Sequence, residues 1–196
     1  IYGGTIGNTT VYDTHKYGGT VYGGSRGDRG GDLATDETIE NYATVLWTEV
    51  NINPHPTNRN NDAVIAGNVY GGARGGQIKQ DTKVNLTGGV IKHNAYGGGR
   101  GTTAIAADVL GNTTVELNKD VADNVKGCIV DKVFGCNDLN GTPKGHALVH
   151  VYATQTNGGS NVSTKAALPP SYSANQAQDE GYKDWLTRLI SETNVT

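Results

Sequence analysis

The chain has 196 residues, a formal net charge of −3, 29 glycines and only 5 prolines, with no Gly-X-Y period that would make it collagen. At 35% hydrophobic and 18% charged residues, it is lean for a globular core and too weakly charged for a charge-driven disordered chain. No basic stripe favours nucleic acid, and no apolar run approaches the roughly 18 residues of a membrane helix.

In chain order, IYGG at Ile1–Gly4 is the first of several copies of one motif: an apolar residue or alanine, an aromatic, then glycine. It returns as VYGGSRG from Val21, VYGGARG from Val69, AYGGGRG from Ala95 and VFGC from Val133. A second motif alternates with it, Thr-x-Val or a close variant followed by alternating apolar residues. Its copies are NTTVY from Asn8, ATVLWTEVNI from Ala43, DTKVNLTGGVI from Asp81, NTTVELN from Asn112 and HALVHVYA from His146. Period-2 alternation of β-branched residues predicts strands with one buried face. In TKVNL, Val84 and Leu86 face one way, Lys83 and Asn85 the other.

The aromatic positions are unevenly spaced: 22 − 2 = 20, 70 − 22 = 48, 96 − 70 = 26 and 134 − 96 = 38. Constant motifs at elastic spacing suit stacked rungs whose corner loops grow outward. The expected fold is therefore all-β: a β-solenoid, of the right-handed parallel β-helix kind, with irregular loop insertions and a short C-terminal α-helix. The repeat domain spans residues 1–160, followed by a linker at 161–175 and an amphipathic helix at 176–192. Glycine pairs are assigned to the corners, where left-handed backbone is cheap for them. NPHPTNRNND at Asn53–Asp62 reads as an exposed loop.

Stacked rungs would bring Tyr22, Tyr70 and Tyr96 into a ladder. Arg26, Arg74 and Arg100 would form a parallel row whose members face solvent, stack on a ring or meet a carboxylate. These six residues are the candidate binding positions for a glycan or a partner. Arg26-Gly27-Asp28 spells a cell-attachment tripeptide, but its Arg-Gly half belongs to the repeat. Asp28, Asp32, Asp36 and Glu37 offer oxygens to calcium without matching a calcium-solenoid pattern. No metal site is assigned: His15, His55, His93, His146 and His150 lack ligand spacing, and His146 and His150 fall on one strand face. Cys128 and Cys136, eight residues apart (136 − 128), are a candidate disulfide suited to a secreted protein, or two buried free thiols. Sequons at Asn8, Asn85, Asn112, Asn161 and Asn194 fit export, although a chain rich in Asn and Thr also produces them by composition.

Past Ser160 the strand pattern fades and Pro169-Pro170 interrupts it. Tyr182, Trp185, Leu186, Leu189 and Ile190 then recur at i, i+3, i+4, i+7 and i+8, one helix face that either caps the solenoid or docks on a neighbouring copy.

NVYGGARGG, TKVNLTGGVIKHNAYGGGRG and GNTTVELN resemble the glycine-rich V-Y-G-G-G repeats of very large surface or secreted proteins of anaerobic bacteria. The resemblance covers about Ile1 to Ala153 and implies a β-helix without assigned activity. VFGC departs from it at Cys136. The expected function is accordingly structural or adhesive: an extracellular or cell-surface solenoid, a segment of a fibre or adhesin, and not an enzyme. A carbohydrate-binding solenoid is the alternative, and a polysaccharide-active enzyme comes third, because the carboxylates occupy no repeated position. The expected partners are other copies of the chain, end to end through Ile1, Tyr2, Tyr182, Trp185 and Leu189, and glycans. No cofactor is assigned beyond the calcium option.

Overall fold

A computed structural model describes residues 1–8, 18–27, 43–122, 125–155 and 161–163. They form an all-β solenoid of about 3 turns, with parallel strands stacked in register. Four lanes run along it. The first stacks β1 (Thr5–Ile6), β5 (Val64–Ile65) and β9 (Val90–Ile91). The second stacks β2 (Val21–Tyr22), β6 (Val69–Tyr70), β10 (Asn94–Tyr96) and β12 (Lys132–Phe134). The third pairs β3 (Thr44–Val45) with β7 (Gln77–Ile78) and continues through bridges at Val109 and Pro143. The fourth holds the longest strands: β4 (Thr48–Ile52), β8 (Thr82–Leu86), β11 (Thr113–Leu117) and β13 (Ala147–Val151).

In the fourth lane, matching positions recur at 82 − 48 = 34, 113 − 82 = 31 and 147 − 113 = 34 residues. The aromatic positions of the second lane recur at 48, 26 and 38, so extra length before one corner is offset after it. The Thr-x-Val strands are the regular axis of the structure, and the loops vary around them.

Alternation delivers Val50, Ile52, Val84, Leu86, Val115 and Leu117 from the fourth lane into one apolar cluster with Ile65, Val69, Ile91 and Ala95 from the first two lanes. A narrow stripe of this kind needs few apolar residues, which is how the chain manages with so lean a composition. A hydroxyl row crosses the same interior. Thr48 donates to Gly71 O at 2.6 Å, Thr82 to Gly97 O at 2.6 Å and Thr113 to Gly135 O at 2.5 Å. Each bond runs from the fourth lane to the glycine after the aromatic, one rung on. The threonine of Thr-x-Val thus ties two lanes together and satisfies a buried carbonyl.

Several sequence expectations are corrected. Gly23, Gly71 and Gly97 do not sit at positive φ. They are glycine because neighbouring rungs approach closely: a Cβ would meet the next rung's glycine carbonyl oxygen at 2.2, 2.2 and 2.4 Å respectively. IYGG is not an equivalent of VYGG. Tyr2 is exposed and outside the aromatic row, while Ile1 lies along β4, its amine donating to Asn51 O and its carbonyl accepting from Asn53 N. Cys128 and Cys136 are unbonded, the first buried and the second exposed. They lie before and after β12, one turned into the interior and the other outward, so closeness in sequence does not bring the sulfurs together. Asn161–Ser163, expected in a linker, forms β15, which pairs antiparallel with β14 (Ala153–Gln155) beside the last rung. The C-terminal helix, with Tyr182, Trp185 and Leu189, lies outside the described residues, as do Asp28, Asp32, Asp36, Glu37, His15 and Asn194.

Candidate functional site

Parallel register places Tyr22, Tyr70, Tyr96 and Phe134 in one row. Consecutive ring centroids are 4.9 Å apart, with interplanar angles of 7°, 11° and 14°. The expected ladder is present and extends one residue further, to Phe134. Tyr70 and Tyr96 are buried, and both faces of each ring are covered by neighbours in the row. The middle of the row therefore presents no open ring face to a sugar.

The hydroxyls are held too. Tyr70 donates to Asp138 Oδ2 at 2.8 Å and accepts from Asn68 Nδ2 at 3.2 Å; Tyr96 accepts from Asn94 Nδ2 at 3.3 Å. Burial first, and then the bond to Asp138, pushes the Tyr70 hydroxyl far above the ordinary phenol range. Asp138 stands four residues after Phe134, as Arg100 stands four after Tyr96. It puts a carboxylate where earlier copies carry arginine, with Arg100 Nε at 4.0 Å. Arg26 is exposed, while Arg74 and Arg100 are half-buried. The arginine row thus ends on an acid in the fourth rung.

The outward face of the fourth lane carries a cluster of ionisable groups. Register aligns Asn51, Asn85, Glu116 and His150 across its four strands. Glu116 is buried at 7% exposure. Lys83 Nζ lies 2.9 Å from its Oε2 and Lys119 Nζ 3.0 Å from its Oε1. The Tyr152 hydroxyl donates to Oε1 at 3.3 Å and shares a 3.3 Å contact with His150 Nδ1. Lys119 also sits over the Tyr152 ring, 5.8 Å from its centroid. Burial by itself would raise the Glu116 carboxyl, but hydrogen bonds and charge from Lys83 and Lys119 outweigh it and hold the group below its ordinary range. A carboxylate clamped by two ammonium groups is a poor general acid and a weak base. The cluster can instead anchor a polar surface, or offer ammonium and hydroxyl donors to a hydroxylated or anionic ligand. Next to it, Asn85 Nδ2 donates to Asn51 Oδ1 at 2.6 Å and Glu49 Oε1 at 2.8 Å.

None of Lys83, Glu116, Lys119 or Tyr152 stands out when each motif is read alone. The signal lay in aligning TKVNL with TTVEL, which sets Lys83 opposite Thr114, two residues diagonal to Glu116 on the same face. Among the sequons, Asn8 is exposed. Asn112 accepts the His146 N–H through Oδ1 at 2.8 Å, joining two rungs. His146 and His150 flank one strand face without a third ligand, and among the described residues no group of three His, Cys, Asp or Glu is placed to hold a metal. No helix among them is long and apolar enough to cross a membrane. The chain matches no protein-family model, no curated protein and no solved structure.

Proposed function

We propose that the protein is an extracellular structural or adhesive element, a β-solenoid segment of a surface fibre or adhesin that associates with further copies of itself. The observation that carries this reading is where the repeat's polar groups go. The Tyr70 hydroxyl, the Thr48, Thr82 and Thr113 hydroxyls and the Arg100 guanidinium all face protein atoms of other rungs. A repeat whose chemistry is turned onto itself builds a rod. The resemblance to V-Y-G-G-G surface repeats supports the same reading. The outer edge of β4, the last strand of its sheet among the described residues, takes Ile1 as a further backbone partner, the kind of pairing that strand addition uses. Negative-stain electron microscopy with light scattering tests this: rods or filaments longer than one chain are expected, and monodisperse single-chain particles at all concentrations would overturn it.

A carbohydrate-binding role is the second reading, favoured by the Lys83–Glu116–Lys119–Tyr152 cluster rather than by the buried tyrosine row. Glycan-array binding that Lys83→Ala and Tyr152→Phe abolish, while Arg74→Ala leaves it intact, is its expected signature.

A further inference from the structure

The outer side of the fourth lane is a polar grid with an exposed indole at its edge. Thr48, Val50 and Ile52 are buried, so Glu49 and Asn51 fall on the outer side of β4. Parallel register sets Lys83 opposite Glu49 and Asn85 opposite Asn51, and the clamp around Glu116 carries the same face onto β11. With strands ~4.8 Å apart and a rise of ~3.3 Å per residue, the four strands present a face on the order of 15 Å on a side. Trp47 immediately precedes β4, two residues before Glu49, and is 56% exposed. The residues before Thr82, Thr113 and Ala147, its register partners' equivalents in later rungs, are Asp81, Asn112 and His146. Folding of the rung therefore does not call for an aromatic there, and a large apolar side chain left in water is the informative kind of exposure.

The chemistry of the face narrows the ligand. Three carboxylates, Glu49, Asp81 and Glu116, stand against two ammonium groups, Lys83 and Lys119, and both ammonium groups already meet Glu116. A face this close to neutral, with the balance on the acidic side, does not draw in an acidic polymer. Lys83 has three N–H donors and uses one on Glu116, and the Glu49 carboxylate takes one bond, from Asn85, so each keeps capacity for a hydroxyl. An indole face accepts the apolar C–H face of a sugar ring. Small ligands need a concave site; a flat grid gathers enough contacts only from an extended one.

We propose that the outward face of the fourth lane docks an uncharged polysaccharide chain, one ring of which stacks on Trp47 while its hydroxyls bond to Glu49 and Lys83. This rests on the carbohydrate reading above and adds the anchor, the charge class and the polymeric form of the ligand.

The sequence has two tryptophans, so Trp185→Phe in the full chain leaves Trp47 as the reporter. Titration with hydroxyethyl cellulose, galactomannan and soluble starch is expected to shift Trp47 emission saturably with at least one of them. The same polymer should retard the protein in affinity electrophoresis, while polygalacturonate and heparin should do neither. In the parent chain, Trp47→Ala is expected to weaken that retardation about tenfold, the scale of losing an aromatic anchor. Leu139→Ala, an apolar truncation at a comparably exposed site in the loop after β12, should leave it unchanged. No response to any of the three neutral polymers, or retardation by the acidic polymers alone, overturns the inference. Retardation indifferent to Trp47→Ala but abolished by Lys83→Ala and Tyr152→Phe overturns it too, and leaves the carbohydrate reading standing. Particle length in the electron microscope reads assembly, so the fibre reading fails or survives separately.

Discussion

The first and fourth rungs are cut from the same repeat and finish differently. Val50 and Ile52, in the first, are 6% and 0% exposed, although β4 is the last strand of its sheet. Their counterparts three strands away, Val149 and Val151, are half-buried and 38% exposed. Ile1 stands at the register of Ile52 and gives that end one more backbone partner; among the described residues nothing comparable reaches β13 from beyond. The motif therefore does not by itself make a closed core. A rung is buried by the rung placed on it, so the energetic weight of each repeat position depends on its distance from an open end.

Paired substitutions sharpen that contrast. The largest difference is expected from truncating the interior stripe. Leu86→Ala, at a site of 0% exposure, should lower stability to urea by about 3–4 kcal/mol, whereas Val151→Ala should cost less than about 1 kcal/mol. Equal losses would mean that the fourth rung is as deeply packed as the second. Next come the motif glycines. Gly71→Ala forces a Cβ to 2.2 Å from Gly97 O and should cost about 2–3 kcal/mol. Gly135→Ala meets nothing closer than Val149 Cγ2 at 3.2 Å and should be close to neutral. A smaller loss, about 1–2 kcal/mol, is expected for Thr82→Val, which keeps the shape but leaves Gly97 O without its hydroxyl partner. Ala147→Thr, which gives the fourth rung the hydroxyl with no further rung among the described residues to receive it, should gain nothing measurable.

The smallest effect is a pH dependence. Glu116 is held below its ordinary range in the folded protein, so its contribution is fully present above the unfolded carboxylate value and fades as pH falls through the folded one. Acid titration of Glu116→Gln should therefore give a shallower loss of stability below about pH 4.3 than the parent chain. Parallel acid limbs would show that the clamp of Lys83 and Lys119 does not act in solution.

The tyrosine row was legible because its motif repeats outright, and any stacking of rungs must superpose Tyr22, Tyr70 and Tyr96. The alternation in TKVNL separated inward Val84 and Leu86 from outward Lys83 and Asn85 for the same reason. Other features depend on what lies one rung away. Thr82 reads as a β-former until Gly97 O is seen above it, and Gly71 reads as a bend until the neighbouring carbonyl leaves no room for a methyl group. Cys128 and Cys136 look like a pair along the chain, yet β12 carries the backbone from the interior to an exposed bend between them. The Lys83–Glu116 contact was available only after strands of different repeats were laid side by side.

The central claim is that each rung is completed by the next and that, among the described residues, the fourth has no successor of its own kind. Native-state amide exchange at the glycine following each aromatic reads this directly. Gly23 N donates to Tyr70 O at 2.9 Å, Gly71 N to Tyr96 O at 2.9 Å and Gly97 N to Phe134 O at 2.8 Å, while Gly135 N meets no acceptor among the described residues. Slow exchange at Gly71 and Gly97, with Gly135 faster by orders of magnitude, is the predicted result. Equal protection at Gly71, Gly97 and Gly135 would contradict the account.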